Sequence, residues 1–259
     1  MILDAHCHLG RDVVYDFTVT EEQLLSVHSA HGITGGIVQP TITRPYLSEA
    51  RAAHDRIRRF ADSAPGKYWG MVSLSPHFSR EDYLEEVHRC IKRLHFVGIK
   101  LTPNGHAVDI LSEDAHTVYG AGLLFHIPVM VHTGMGLPFA DPARLRRVAV
   151  QFPELKLIIA HAGSDFFLTQ AIDLALDFEN VYLEPSGVGI EGIEAILEQV
   201  PAEKIMFSTD VPVQTPSELL KYRALAPSRK ILEQIFWKTA ASVFSLDIAE
   251  NADEKGENA

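Results

Sequence analysis

The chain alternates eight times between a short apolar run and a longer segment with helical periodicity. Most of the apolar runs are rich in Val, Ile or Leu and end near Gly or Pro, which is typical of buried parallel strands. The predicted strands are 2–8, 34–40, 68–75, 97–102, 128–134, 155–162, 180–186 and 204–210. The predicted helices are 20–31, 48–63, 80–95, 112–126, 141–151, 165–178, 189–200 and 216–226, with a further helix at 228–245.

Eight strand–helix units in succession predict an α/β fold, namely a single (β/α)8 TIM barrel. The 259 residues are close to the roughly 250 that such a barrel needs. An open doubly wound sheet is the structural alternative, but no Gly-x-Gly-x-x-Gly follows the first predicted strand. We expect the barrel to occupy residues 1–246 and the acidic segment 247–259 to form a flexible tail.

Composition narrows the possible partners. The formal net charge of −11 disfavours binding to nucleic acid, and no apolar run is long enough to span a membrane. Two cysteines are too few for a disulfide framework, which favours a cytoplasmic protein. Thirteen histidines make metal binding or acid–base chemistry the first possibility to examine.

Polar side chains lie at the ends of several predicted strands. On the first strand His6 and His8 are two residues apart and share a face, which Asp4 is expected to share, while Cys7 points into the helix layer. The fifth predicted strand ends near His132, the sixth ends near His161, and the eighth ends at Asp210. Lys100 lies within the fourth. Catalytic groups of a barrel sit at the C-terminal strand ends, so these side chains are expected to converge.

Such a set of nitrogen and oxygen donors suits a divalent metal. Burying this many polar groups without partners would cost a few kcal/mol each. A lone histidine on an apolar strand is usually satisfied by a hydrogen bond to a neighbour. That explanation does not cover a whole set of polar side chains at the same end of the barrel. We predict Zn²⁺, with Mn²⁺, Fe²⁺ or Co²⁺ possible.

These motifs resemble the amidohydrolase superfamily. Asp4-Ala-His6-Cys-His8 resembles its strand-one His-x-His motif, and Val131-His132-Thr-Gly, Ala160-His161-Ala-Gly and Ser208-Thr-Asp210-Val-Pro resemble its later strand ends. The resemblance covers the whole chain and is strongest to the amidohydrolase-related branch of hydrolases and decarboxylases. The closing helix carries Thr239 where that branch usually has Asn.

The resemblance implies His6, His8, His132 and Asp210 as metal ligands, with Asp210 and His161 as catalytic acid–base groups. It implies hydrolysis of a small lactone, amide or related carbonyl compound by a metal-activated water. Lys100 is expected to bind a substrate carboxylate as a cation; in binuclear relatives a strand-four lysine is instead carboxylated and bridges two ions. We therefore favour one ion, and two if Lys100 is carboxylated.

Two alternatives to the hydrolase remain at this point. A metal-dependent, non-oxidative decarboxylase of a small aromatic or unsaturated acid would use the same ligands, although the short loops favour the hydrolase. A non-catalytic barrel would show loss of ligands, and none is lost.

Arg44 and His106, from loops after the second and fourth strands, are candidate substrate contacts, and the barrel is expected to form a homo-oligomer if a neighbouring subunit completes its site.

Overall fold

The computed structural model describes residues 1–134 and 139–248, so the predicted tail lies almost entirely outside the described residues. Its centre is a sheet in the order β2-β1-β3-β4-β5-β6-β7-β8. All neighbours pair in parallel except β1 and β2. The strands are β1 (Leu3–Arg11), β2 (Thr18–Val19), β3 (Gly35–Pro40), β4 (Tyr68–Ser73), β5 (Gly98–Leu101), β6 (Val129–His132), β7 (Leu157–Ala160) and β8 (Val181–Glu184).

Helices follow the parallel strands, as the periodicity predicts. They are α1 (Glu21–His31), α2 (Leu47–Ser63), α3 (Arg80–Arg93), α4 (Pro103–His106), α5 (Glu113–Phe125), α6 (Leu145–Gln151), α7 (Ser164–Asp177), α8 (Ile190–Gln199), α9 (Thr215–Leu225), α10 (Arg229–Glu233) and α11 (Thr239–Val243). None of the helices in the described ranges is both long and apolar enough to cross a membrane. The short elements β2 and α4 have no counterpart in the sequence prediction.

The predicted helix 228–245 spans residues 229–243 in the structure and contains a turn of a different type. Between α10 and α11 lies a π-helical turn, Gln234–Lys238. Such turns insert one extra residue into a helix. Here the carbonyl of Ile235 accepts a hydrogen bond of 3.0 Å from the backbone N–H of Phe207, so the turn ties the closing helix to the last sheet segment.

The eighth predicted strand, 204–210, is not continuous. Isolated parallel bridges join Ile205 to Leu183 of β8 and Asp210 to Cys7 of β1. Backbone hydrogen bonds of 2.8 to 3.1 Å accompany both bridges. The prediction of parallel strands is thus confirmed for the first seven. The eighth is an irregular segment that bridges β8 and β1.

A β-bulge interrupts β1. Its pairing with β3 advances three residues, from Asp4 to Cys7, while β3 advances two, from Gly36 to Val38. One extra residue therefore reverses the alternation of side chains. Asp4 and Cys7 both lie against Gly36, where an added Cβ would come 3.1 Å from Cys7 Sγ and 3.4 Å from Asp4 Cβ. The expectation that Asp4 shares the face of His6 is wrong for this reason.

Two apolar clusters support the sheet. The larger packs between the sheet and the helices. The smaller contains Leu3, Ala5, Met71, Met130 and Met206, all nearly inaccessible to solvent. Met130 precedes His132 by two residues, so both side chains lie on the same side of β6. The polar strand ends therefore rest on a dry apolar layer.

Candidate metal centre

Three donor atoms from two parts of the chain converge at the sheet's C-terminal edge. His6 Nε2 lies 3.1 Å from His8 Nε2 and 3.4 Å from Asp210 Oδ1, and His8 Nε2 lies 3.3 Å from Asp210 Oδ1. His6 is buried, whereas the Asp210 side chain is 22% exposed. The bulge in β1 and the bridge between Cys7 and Asp210 produce this arrangement.

The neighbouring strand ends add further groups. The His161 ring centroid lies 5.1 Å from that of His6 and 4.6 Å from that of His132. Lys100 Nζ, fully buried at the middle of β5, lies 3.0 Å from His6 Nε2. The structure thus brings together the predicted ligands and catalytic groups His6, His8, His132, His161, Lys100 and Asp210.

Glu184, at the end of β8, contacts the centre, and the sequence pattern assigned it no role. Its carboxylate accepts a hydrogen bond of 2.6 Å from Nδ1 of His6 and one from the hydroxyl of Ser208. The backbone N–H groups of Ser186 and His161 also donate to it, at 2.8 and 3.3 Å. A buried carboxylate must be paired, and that requirement was the available signal.

The proton arrangement follows from these contacts. Because Nδ1 of His6 donates to Glu184, Nε2 carries the lone pair that faces the centre. His161 Nδ1 lies 3.1 Å from the carbonyl of Ser186, so its Nε2 is likewise left for the centre. Both rings have their orientation fixed by an acceptor outside the centre, as in metal-binding histidines.

Burial determines the charge states. Desolvation, reinforced by Lys100, lowers the pKa of His6 to about 3, and desolvation with His161 and Lys100 holds the pKa of His132 well below its usual value. Desolvation also lowers the pKa of Lys100 to about 8, against the attraction of Glu184 and Asp210. Burial would raise the pKa of Asp210, but its hydrogen bond with His8 and the nearby histidines keep it well below the usual value.

These residues fit a divalent metal ion. Metal ligands must be deprotonated, and the lowered pKa values of His6 and His132 leave their imidazoles neutral beside the Asp210 carboxylate. The lone pair of His6 Nε2 has three polar neighbours within 3.4 Å, more than one hydrogen bond can satisfy. His6, His161 and Asp210 also place one donor atom each within 4.8 Å of one another.

The backbone at two of these residues is left-handed. His161 has φ 63° and Asp210 has φ 61°. Residues other than glycine rarely adopt this region, and holding one there costs roughly 1–3 kcal/mol. The backbone N–H of Asp210 donates 2.8 Å to the carbonyl of His6, and that of His161 donates to Glu184. The fold thus holds strained residues where the side chains converge.

The predicted substrate contacts differ in position. His106 ends α4, where its Nδ1 accepts a hydrogen bond of 3.4 Å from the backbone N–H of Thr102, and desolvation, with His77 and Lys100, lowers its pKa to about 4. Arg44 lies at the surface and pairs with Glu49 at 3.2 Å, so the structure does not bring it to the centre.

A cavity of about 810 Å³ adjoins Asp210. It lies between α1 and the segment after Asp210, and its lining includes Phe17, Val19, Val27 and Val213.

Comparison with known protein families gives a match over most of the chain. The sequence model of a family described as Amidohydrolase matches residues 4–246. No curated protein sequence matches the chain.

Among solved structures, 2,6-dihydroxybenzoate decarboxylase from Rhizobium superposes with a TM-score of 0.76 at 17% identity, covering 95% of this chain and 98% of that one. The 5-carboxyvanillate decarboxylase of Novosphingobium aromaticivorans, complexed with manganese, gives 0.75 at 16% identity, covering 95% and 96%. A Staphylococcus aureus protein, provisionally assigned as an amidohydrolase, gives 0.75 at 14% identity, covering 95% and 99%. At these identities the likeness establishes the fold.

Proposed function

The chain belongs to the amidohydrolase family, and we propose that it is a metal-dependent hydrolase acting on the carbonyl group of a small lactone, amide or related compound. The observation that carries this proposal is the convergence of His6 Nε2, His8 Nε2 and Asp210 Oδ1 within 3.4 Å. Asp210 is at once a low-pKa carboxylate and the most exposed of the three. It therefore offers a base at the point where solvent and substrate enter.

His6, His8, His132 and Asp210 would hold the ion. When bound there, a divalent metal would supply Lewis acidity for reaction at a carbonyl group. The nitrogen and oxygen donors suit Zn²⁺, and the manganese in a structural relative makes Mn²⁺ the other candidate.

The remaining chemistry belongs to side chains of the chain itself. Asp210 accepts a proton at a carboxylate oxygen from the attacking water. His161, whose Nδ1 is directed at the Ser186 carbonyl, exchanges a proton with the substrate at Nε2. Lys100 supplies the positive charge that binds an anionic group of the substrate, and His106 is a further substrate contact. Arg44 would reach the substrate only if its loop moved.

The number of ions depends on Lys100. As an ammonium beside His6, it favours one ion per chain. If it is carboxylated, its carboxylate would bridge two ions, and His132 with His161 would hold the second. Metal analysis together with intact-mass measurement distinguishes the two, since carboxylation adds one CO₂ to the chain.

Decarboxylation of a small aromatic or unsaturated acid is the second candidate. Two structural relatives are decarboxylases of substituted benzoates, although their low identity transfers no reaction. The same centre could serve this reaction, with His161 or Asp210 returning a proton to the ring carbon while the carboxyl group leaves as CO₂. Lys100 would hold the carboxylate.

We also infer that the sheet closes into a (β/α)8 barrel. The bridging segment 204–210 supports this, because it is hydrogen-bonded to β8 and to β1. Closure would place Asp210 beside the first strand and complete one rim.

The decisive experiment combines metal content with a substrate screen. Purified protein is analysed for bound metal, stripped with a chelator and reloaded with Zn²⁺ or Mn²⁺. Lactones and amides are assayed by acid release and benzoic acids by CO₂ release. We expect stoichiometric metal and metal-dependent hydrolysis; CO₂ release without hydrolysis would favour the second candidate, and activity in the fully stripped protein would refute both.

Asp210→Asn is the matching variant. We expect it to stay folded and lose turnover. The control is Asp177→Asn, which removes a half-exposed carboxylate paired with Arg146 away from the centre and should keep full activity. Retained turnover in Asp210→Asn would exclude Asp210 as the proton acceptor.

A further inference from the structure

Asp4 is a buried carboxylate of β1 that does not face the metal centre. The bulge places it behind the strand, on the side of Cys7, and its side chain is fully buried. Nothing in the proposed chemistry uses it. A buried anion is costly unless several donors satisfy it, so its contacts should reveal what it does.

Each polar contact of the Asp4 carboxylate is made with one of the two segments that carry a proposed metal ligand or with helix α1. Its Oδ1 accepts the backbone N–H of His6 at 3.1 Å and that of Thr209 at 3.0 Å. Its Oδ2 accepts the Thr209 hydroxyl and lies 3.3 Å from Nε2 of His28 on α1. One carboxylate thus joins the two stretches of chain that hold His6 and Asp210.

The bond to His6 explains how the bulge is stable. The extra residue of a bulge leaves backbone groups without a ladder partner. An unpaired buried N–H is destabilising, and Asp4 accepts that of His6 from two residues earlier in the same strand. The carboxylate therefore fixes the local conformation that turns the His6 ring toward His8 and Lys100.

The hydrogen bonds between Asp4 and Thr209 act on the segment that carries Asp210. Thr209 immediately precedes Asp210, whose backbone is left-handed. With its N–H and its hydroxyl both bound to Asp4, Thr209 has little freedom, so the direction of the next residue is fixed. His28 Nε2 lies 3.3 Å from Asp4 Oδ2 without a hydrogen bond to it, and His28 Nδ1 lies 3.1 Å from the hydroxyl of Tyr68.

We propose that Asp4 is a positioning residue of the metal centre, which sets the separation of His6 and Asp210 by binding the backbone of both segments. This rests on the proposed function only in that the centre binds a divalent ion. Outer-shell partners of this kind typically contribute about 10- to 100-fold to metal affinity. The effect of Asp4 should therefore appear as metal affinity, separable from any change in stability.

Two pairs of variants test the proposal by titrating metal-free protein with Mn²⁺ and Zn²⁺ against a chromophoric chelator. Asp4→Ala removes Oδ1, which accepts the backbone N–H groups of His6 and Thr209, whereas Asp4→Asn keeps an oxygen at the Oδ1 position. Thr209→Val removes the hydroxyl but keeps its shape, whereas Thr209→Ser keeps it. We expect affinity to fall about 10-fold or more in Asp4→Ala and Thr209→Val and to stay within about threefold in the other two.

Glu86→Gln is the control for a general loss of stability. Glu86 is also fully buried and hydrogen-bonded, but its partners are His54, Arg51 and Arg89 in the helix layer. Unfolding in urea is measured for every variant, and titrations are done where each is folded. If Asp4→Ala does not fold, Thr209→Val decides.

The outcomes separate this inference from the proposed function. Wild-type affinity in Asp4→Ala or Thr209→Val, or a loss no greater than in Glu86→Gln, would overturn the positioning role while leaving the metal centre intact. Wild-type protein that binds neither ion would refute the proposed function, and the positioning role with it.

Discussion

The carboxylate of Glu184 offers the sharpest test of how the centre is built. The perturbation is Glu184→Gln, which keeps the shape of the side chain and removes its charge. All four hydrogen-bond partners of Glu184 are donors: Nδ1 of His6, the Ser208 hydroxyl and two backbone N–H groups. A glutamine has one accepting oxygen, so its NH₂ group must face one pair of these donors.

The structure gives the size of the effect. If the amide oxygen stays on His6, the NH₂ group faces the Ser208 hydroxyl, which can rotate, and the N–H of Ser186, which cannot. An unsatisfied buried N–H costs about 1–3 kcal/mol, and the lost charge-assisted bond was worth about 1.5–3 kcal/mol. A neutral side chain is less costly to bury, so we expect a net loss of about 2–4 kcal/mol.

Metal affinity should fall as well. The charge of Glu184 holds the proton of His6 on Nδ1 and makes Nε2 a better donor to a metal. Burial would raise the pKa of Glu184, but His6 and its hydrogen bonds keep it well below the usual range, so the charge is present at neutral pH. We expect Glu184→Gln to lose about 10- to 100-fold in affinity.

The assay is urea unfolding of the metal-free protein together with chelator-competition titration. Glu218→Gln is the matched control, because Glu218 is nearly buried and pairs with Lys221 but does not contact a predicted ligand. Unchanged stability and affinity within about threefold of wild type in Glu184→Gln would refute the argument.

Three further outcomes are expected. Lys100→Met should leave one ion per chain and raise KM for anionic substrates, measured by metal analysis and steady-state kinetics; loss of one of two ions would establish the bridging role instead. Met130→Ala should destabilise the protein by about 2–5 kcal/mol in urea unfolding, because it empties part of the dry layer; an unchanged midpoint would contradict this. Burial would raise the pKa of Glu86, but hydrogen bonds from His54 and Arg89 lower it below its ordinary 4.5, so its stabilisation is present above about pH 4.5 and is lost as pH falls. The difference in unfolding free energy between wild type and Glu86→Gln should accordingly be largest near neutral pH, about 2 kcal/mol, and shrink in acid; a difference that grows in acid would reverse the sign.

Most of the centre could be predicted because strand ends are a local feature. Val129–His132 is apolar until its last residue, and Leu157–Ala160 is apolar throughout, with His161 directly after it. The C-terminal ends of parallel strands meet at one edge of the sheet. Convergence of His132 and His161 follows from that topology, whereas Asp210 is placed by the bridge between its segment and Cys7 of β1. The exact separations of these side chains do not follow from topology, since they depend on turns and on left-handed residues that no pattern indicates.

The supporting contacts could not be predicted for a different reason. Glu184 lies on a strand that the pattern identifies, but its partners come from β1 and from the segment around Ser208, which only packing brings near. Arg44 shows the converse: its loop after a strand was expected to face the centre, but its side chain lies at the surface, where it pairs with Glu49.

Asp4 is where the alternation rule fails, and the failure is informative. A strict period of two would place Asp4, His6 and His8 on the same face of β1. Asp4 would then not lie on the opposite face, where Cys7 is. The bulge moves Asp4 to the opposite face, where it binds Thr209 and joins the first strand to the last segment. The hydrogen bonds of Asp4 that join the first strand to the last segment therefore also set the distance between His6 and Asp210. A change that weakens this connection should loosen the metal centre before it unfolds the protein.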